Sequence, residues 1–300
     1  MKAKNRIPES KTYVTFRIIN NIFMGFLAFI CLVPMINVLA TSFSSSLAVS
    51  AGEVKLWPIG FNLYSYKFVV SNSAFWRAMW VSVKRVVLGS TINVILCILT
   101  SYPLSKNSRV FKGRNIYTWY IFITMLFGGG LIPGYLVVSW THLLNTIWAM
   151  IIPGAVNAWN VILMLNFFRQ LPKALEEAAF IDGAGQWTIL WKIVVPLSKP
   201  VIATIALFCM VGHWNDWFSA FIYIGSPKGY PLQTYLYSLL SMDMTKITGI
   251  PQNIMNEISK VNNKTLTSAQ VFVGAFPILL VYPFLQKYFT KGIVLGSVKG

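Results

Sequence analysis

Apolar residues fall into long, nearly uninterrupted blocks, without the polar face of an amphipathic helix or the alternation of a strand. The blocks lie near Ile18–Ala40, Val86–Leu104, Ile116–Val138, Ala149–Phe168, Val201–Ile224 and Ser268–Leu285. Each meets the length of about 20 residues that a helix needs to cross a bilayer. Helices are expected because a helix satisfies its backbone polar groups within one segment, whereas barrel strands alternate and these blocks do not. The pattern predicts an all-α integral membrane protein, with residues 1–300 forming a single domain of six transmembrane helices.

Composition sharpens this picture. The chain is 56% hydrophobic and 11% charged, against roughly 25% charged in a soluble domain. Its net charge of +17 flanks the apolar blocks and forms no continuous basic stripe, which argues against nucleic acid as a partner and for membrane lipid. The first block follows a basic N-terminus and is long enough to span, so it reads as a retained helix and not a cleaved signal. Cys31, Cys97 and Cys209 lie inside apolar blocks without metal or disulfide spacing.

Lysine and arginine placement predicts the orientation. Sixteen of the 25 basic residues sit in the N-terminal segment, the loops after spans two and four, and the C-terminus. Both termini are therefore expected in the cytoplasm. Lys84 and Arg85 fit less well, at the expected outer mouth of span two, where they either snorkel outward or face a polar cavity. Two longer segments are expected outside, near 41–77 and 225–267. The second is rich in asparagine (Asn253, Asn256, Asn262 and Asn263) and is either a docking surface or simply solvated.

The loop from 171 to 200 reads LPKALEEAAFIDGAGQWTILWKIVVPLSKP. Pro172 suits a first helical turn, and Leu175, Ala178 and Ala179 follow at helical spacing. Asp182-Gly183 breaks the helix, since glycine can take the left-handed conformation a helix end requires. Trp187, Leu190, Trp191 and Val194 form a second stripe, ended by Pro196 and Pro200. Two short amphipathic helices joined by a tight turn are expected, and their apolar faces need a membrane surface or a partner protein.

The segment Glu177-Ala178-Ala179-Phe180-Ile181-Asp182-Gly183-Ala184, followed by Ile193-Val194-Val195-Pro196, resembles the EAA coupling motif of permeases of ATP-binding-cassette (ABC) importers, with Val195 in place of the usual leucine. The C-terminal FPILLVYPFLQKYFTKGIVLGSVKG is similar to the end of the second permease of maltose-type carbohydrate importers. FGGGLIPGYLVV and HWNDWFSAFIYI resemble the branch that handles complex oligosaccharides. The resemblance covers almost the whole chain. It implies a type I ABC importer permease fold in the bacterial cell membrane, a second homologous permease, two ATPase subunits, an extracellular or periplasmic solute-binding protein and an oligosaccharide substrate. It also implies that Glu177, Ala178, Ala179, Asp182, Gly183, Ala184, Ile193 and Pro196 couple the chain to the ATPase. The alternative role for Asp182 is only to cap the second helix.

The chain has no phosphate-binding P-loop sequence, no zinc-ligand cluster and no nucleophile–base constellation. No cofactor is expected on it and it is not expected to be an enzyme; the resemblance places ATP and Mg on the partner ATPases. Charged and polar residues within spans are costly and mark a transport path. Trp214, Asn215, Asp216 and Trp217 combine aromatic faces with planar hydrogen-bonding groups, as sugar sites do, although an interfacial aromatic belt gives the same pattern. With Asn160, Lys84 and Arg85 they form the expected substrate path. Asn157, Asn160 and Asn166 otherwise suit interhelical hydrogen bonds, and Gly128-Gly129-Gly130 suit either close packing or a break in span three. Two other readings are an ABC permease for a non-sugar solute and an ion-coupled secondary transporter. The second is disfavoured by the lack of internal repeats and by Asp216 being the only carboxylate within a span.

Overall fold

The computed structural model describes residues 10–241, 264–277 and 279, and these contain helices and no strands. The chain divides into two compact units, 1–71 with 243–272 and 72–242 with 273–300.

In the first unit, α1 (Lys11–Ser42) is a 32-residue helix that is apolar around its whole circumference and almost entirely exposed. Such a surface suits lipid, not water. After it come α2 (Ser46–Ser50) and α3 (Tyr64–Ser71); α3 is held by Ser42 Oγ against Tyr66 Oη at 2.8 Å and by Phe43, which stacks on Tyr66 and on Phe61.

The second unit is organised by α4 (Ser73–Ser105), whose Asn72 side chain caps it by accepting from the Ala74 N–H. Its 33 residues span roughly 50 Å at 1.5 Å per residue. It thus begins well before the predicted Val86 and carries Lys84 and Arg85 inside the helix, not at its mouth. Beyond it run α5 (Arg114–Leu126), α6 (Leu131–Trp140), α7 (Ala158–Arg169), α8 (Lys173–Ile181), α9 (Gln186–Ile189), α10 (Val195–Leu197), α11 (Lys199–Asn215), α12 (Phe218–Tyr223) and α13 (Leu232–Ser241). A last helix, α14, covers 264–277.

Two helices, α1 and α4, are long and apolar enough to cross a membrane unaided, and three bent pairs pass the same test together. The predicted third span is α5 and α6, bent by 118° at the three glycines. A Cβ added at Gly128 or Gly129 would meet nothing within 4 Å, and Gly130 takes φ +85°, so these residues break the helix and do not serve close packing within this chain. The fourth span begins as two 3-10 turns from Ile147 and bends by 49° before α7. The fifth begins at an 81° bend near Ser198 and ends at Asn215, short of the predicted Ile224, because Asp216 turns the chain into α12. The sixth starts within α14, and its predicted end at Leu285 lies outside the described residues, as do the four asparagines of the 225–267 segment.

The core of the second unit gathers Cys97, Ile98 and Tyr102 of α4, Val161, Met164 and Phe168 of α7, and Val201, Ile205 and Cys209 of α11. Ile189, Leu190 and Val194 of the 171–200 loop are buried in the same cluster. Ser101 Oγ donates to the Val161 carbonyl at 3.1 Å, tying α4 to α7 in the manner of membrane helix pairs.

Candidate functional site

The 171–200 loop folds as two helical pieces around a left-handed turn. Gly183 has φ +80°, a conformation that costs an ordinary L-residue roughly 1–2 kcal/mol. The Ala184 N–H donates to the Ala179 carbonyl at 2.9 Å and the Gly183 N–H to Phe180 at 3.0 Å, the paired bonds of a Schellman helix end. Asp182 is the last residue of this helix end and makes no side-chain cap on α9, whose N-cap is Gly185. The capping alternative for Asp182 therefore does not hold.

The turn presents one face outward and one inward. Ala179 and Ala184 pack against the bundle core, while Glu177, Ala178 and Asp182 are exposed. Ile181 is 87% exposed and Leu175 and Phe180 are about half exposed, an apolar surface that the motif alone did not single out. Lys106, just past α4, pairs with Glu176 and sits 4.0 Å over the Tyr102 ring; Tyr102 Oη lies 2.8 Å from Gln186 Oε1.

After α9 the helix widens into a π-turn over Leu190–Val194, with the Val195 N–H bonded to the Leu190 carbonyl. Pro196 explains this locally: its ring cannot sit over a carbonyl four residues back, and a π-bulge relieves the clash. The rod then continues through Leu197, past Pro196, so the expected stop falls at Ser198. The predicted apolar stripe is split by this widening. Leu190 and Val194 are buried, Ile193 is half-buried, and Trp187, Trp191 and Pro196 are exposed.

A second feature is a cavity of about 480 Å³ between α4, α7, α11 and α12. Its polar lining is Arg85, Asn93, Asn157, Asn160, His213, Asp216 and Ser219, with Phe208 and Tyr223 among the other walls. Arg85 is 1% exposed. Its guanidinium pairs with the Asp216 carboxylate and donates to the Asp216 carbonyl (2.7 Å), the Met150 carbonyl (3.3 Å) and Ser219 Oγ (2.8 Å). Asp216 Oδ1 in turn accepts from the Phe218 and Ser219 N–H groups, as an N-terminal helix anchor does. His213 lies against Gly89, where an added Cβ would fall 2.4 Å from Nε2.

The expected path residues separate. Arg85, Asp216 and Asn160 meet at the cavity. Asn160 Nδ2 reaches Cys209 Sγ at 3.5 Å, a contact between α7 and α11, and Asn157 caps α7 by accepting from the Asn160 N–H. Asn166 is exposed. Trp214 is buried away from the cavity lining. Trp217 stacks on Tyr237 at 4.1 Å, Asn215 is exposed, and Lys84 is exposed with its ammonium 5.3 Å over Trp80. The two tryptophans miss the cavity because the helix stops between them and the second belongs to the start of α12. Asn93 and His213 were not expected there; a lone asparagine inside the apolar block of span two was the available signal.

The same chain resembles known proteins along nearly its full length. Residues 11–294 match the family model described as "Binding-protein-dependent transport system inner membrane component". The chain is 41% identical to protein LplC of Bacillus subtilis, over 97% of each chain. It is 39% identical to the polygalacturonan/rhamnogalacturonan transport system permease protein YtcP of the same organism, over 95% of this chain and 99% of the relative. Among solved structures, a chain of a bacterial ABC transporter involved in import of the acidic polysaccharide alginate superposes with TM-score 0.85 at 31% identity, covering 95% of this chain and all of that one. With an exposed, glycine-turned loop rooted in a bundle of apolar helices, and with these matches, the chain belongs to the inner membrane component family of binding-protein-dependent transport systems.

Proposed function

We infer that this protein is one of two permease subunits of an ATP-driven importer for oligosaccharides, a multi-pass protein of the bacterial cell membrane with six spans and both termini in the cytoplasm. A solute-binding protein delivers the sugar from outside, and two separate ATPase subunits hydrolyse ATP; this chain performs no catalysis. The sugar class is supported by the printed roles of the relatives: pectic polymers for YtcP and alginate for the structural neighbour.

The observation that carries the reading is the 173–197 segment, exposed on one face and buried in the bundle core on the other. Glu177, Ala178, Ile181 and Asp182 present a face for a groove on the ATPase. Ala179 and Ala184 let the helix end lie close to the bundle, and Gly183 makes the turn. Ile189, Leu190 and Val194 then act as the root of a lever, since a push on α8 is transmitted through close-packed side chains into α4, α7 and α11. ATPase closure thereby drives alternating access. Ion coupling is disfavoured because Asp216, the one span carboxylate, is already engaged by Arg85 and two N–H groups. The polar cavity lies on the path.

Reconstitution of this chain with its partner permease, ATPase and binding protein tests the reading by ATP-dependent uptake of oligogalacturonate into vesicles. Gly183→Pro removes the N–H that closes the turn and forbids its φ. Uptake is expected to vanish while the variant still inserts and binds its partner permease. Undiminished uptake would overturn the coupling assignment.

A further inference from the structure

We propose that the cavity between α4, α7 and α11 is a subsite for the hydroxyl-bearing, uncharged part of a sugar chain and does not receive a carboxylate. The proposal rests on the importer reading and adds which part of the substrate this chain holds.

Among the described residues of the cavity wall, the one permanent cation is Arg85, beside the His213 imidazole. Its two terminal nitrogens donate to Asp216, Met150 and Ser219, while its Nε has no partner among the described residues. Arg85 and Asp216 cancel in charge, so an entering carboxylate would meet a neutral pair in place of a free counter-ion, and the one unpaired Arg85 Nε–H would not replace its hydration. Arg85 therefore serves as a pin joining α4 to the α11–α12 break and not as an anion receptor.

The unpaired polar atoms indicate what the cavity does take. Asn93 is 8% exposed and its Oδ1 is buried without a hydrogen-bond partner among the described residues. A buried acceptor of this kind requires a donor. A sugar hydroxyl can donate to it; an ionised carboxylate only accepts and would leave it orphaned. Arg85 Nε and His213 Nε2 are likewise buried without a well-formed partner. Arg85 Nε is a donor and Asn93 Oδ1 an acceptor, and a hydroxyl, which both gives and takes, can serve either. Phe208 and Tyr223 add apolar walls for the C–H faces of a sugar ring, and the volume lies within the roughly 300–1,000 Å³ of small-ligand sites. The relatives whose printed roles name acidic polymers would then distinguish their carboxylates elsewhere in the assembly.

The test uses the complete reconstituted importer and two matched probes: trigalacturonate and its carboxyl-reduced counterpart, trigalactose. Each is measured by its own ATP-driven uptake or by competition against the other. Asn93→Leu is expected to raise KM about tenfold for both probes alike, the loss of one hydrogen bond and exposure of its partner. Asn93→Thr, which keeps one hydroxyl and covers the case in which Asn93→Leu fails to assemble, is expected to raise both about threefold. A penalty confined to trigalacturonate would place the carboxylate in the cavity and overturn the proposal. No penalty on either would show that sugar does not occupy it. Absence of ATP-dependent uptake of both probes by the unaltered complex would sink the importer reading itself, and this inference with it.

Discussion

In the coupling loop, structure is written in backbone bonds three to five residues apart, such as Ala184 to Ala179 and Gly183 to Phe180. In the cavity it is written in side-chain bonds that join residues 65 and 131 positions apart, from Arg85 to Met150 and to Asp216. The loop is therefore a local object carried on the bundle, whereas the cavity exists only because three helices have already packed. Their energetics differ accordingly. The loop depends on conformation at one glycine and on a partly exposed ion pair. The cavity depends on a fully buried guanidinium, a group that is expensive to bury and more expensive to orphan.

That contrast can be broken most severely from the cavity side. Asp216→Ala leaves Arg85 charged, 1% exposed and unpaired, at a cost of roughly 3–5 kcal/mol. Thermal unfolding of the detergent-purified complex should fall by many degrees, and the double variant Arg85→Met/Asp216→Ala should recover most of the loss. If the single variant is as stable as the parent, the pair is not structural. Gly89→Ala is the next largest. Its Cβ would collide with the His213 ring, and forced repacking of this kind costs about 1–3 kcal/mol. Sugar affinity should fall with it, while docking of the ATPase, read by co-purification, is unchanged. Lys106→Ala is the smallest. The pair with Glu176 is partly exposed, at 11% and 24%, so roughly 1 kcal/mol is at stake including the contact over Tyr102. ATPase coupling should drop about threefold with sugar affinity intact. A larger effect on affinity than on coupling would erase the separation between the two regions.

Much of the loop was legible in the sequence. Pro172 and Gly183 mark where the first helix begins and ends, because one acts through its missing N–H and the other through its own φ. The second stripe was only half legible. Trp187 and Trp191 share helical spacing with Leu190 and Val194 yet are exposed where those two are buried, and the π-turn over Leu190–Val194 departs from the regular helix that spacing rules assume. The same assumption misplaced Trp214 and Trp217, since Asp216 stops the helix between them. At the cavity, charge within a span singled out Arg85 and Asp216 without pairing them, and Asn93 and His213 were passed over because a single polar residue carries no spacing of its own.

Sequence by itself determined the helical, membrane-embedded character of the chain, its breaks at glycine and proline, and the coupling turn. These follow from block hydrophobicity and from backbone preferences that act within a few residues. Tertiary structure alone decided that Arg85 would be spent on Asp216, that Gly89 would make room for His213, and that Asn93 would face an open chamber. Such outcomes depend on which helix faces meet, and that is settled by packing many side chains at once.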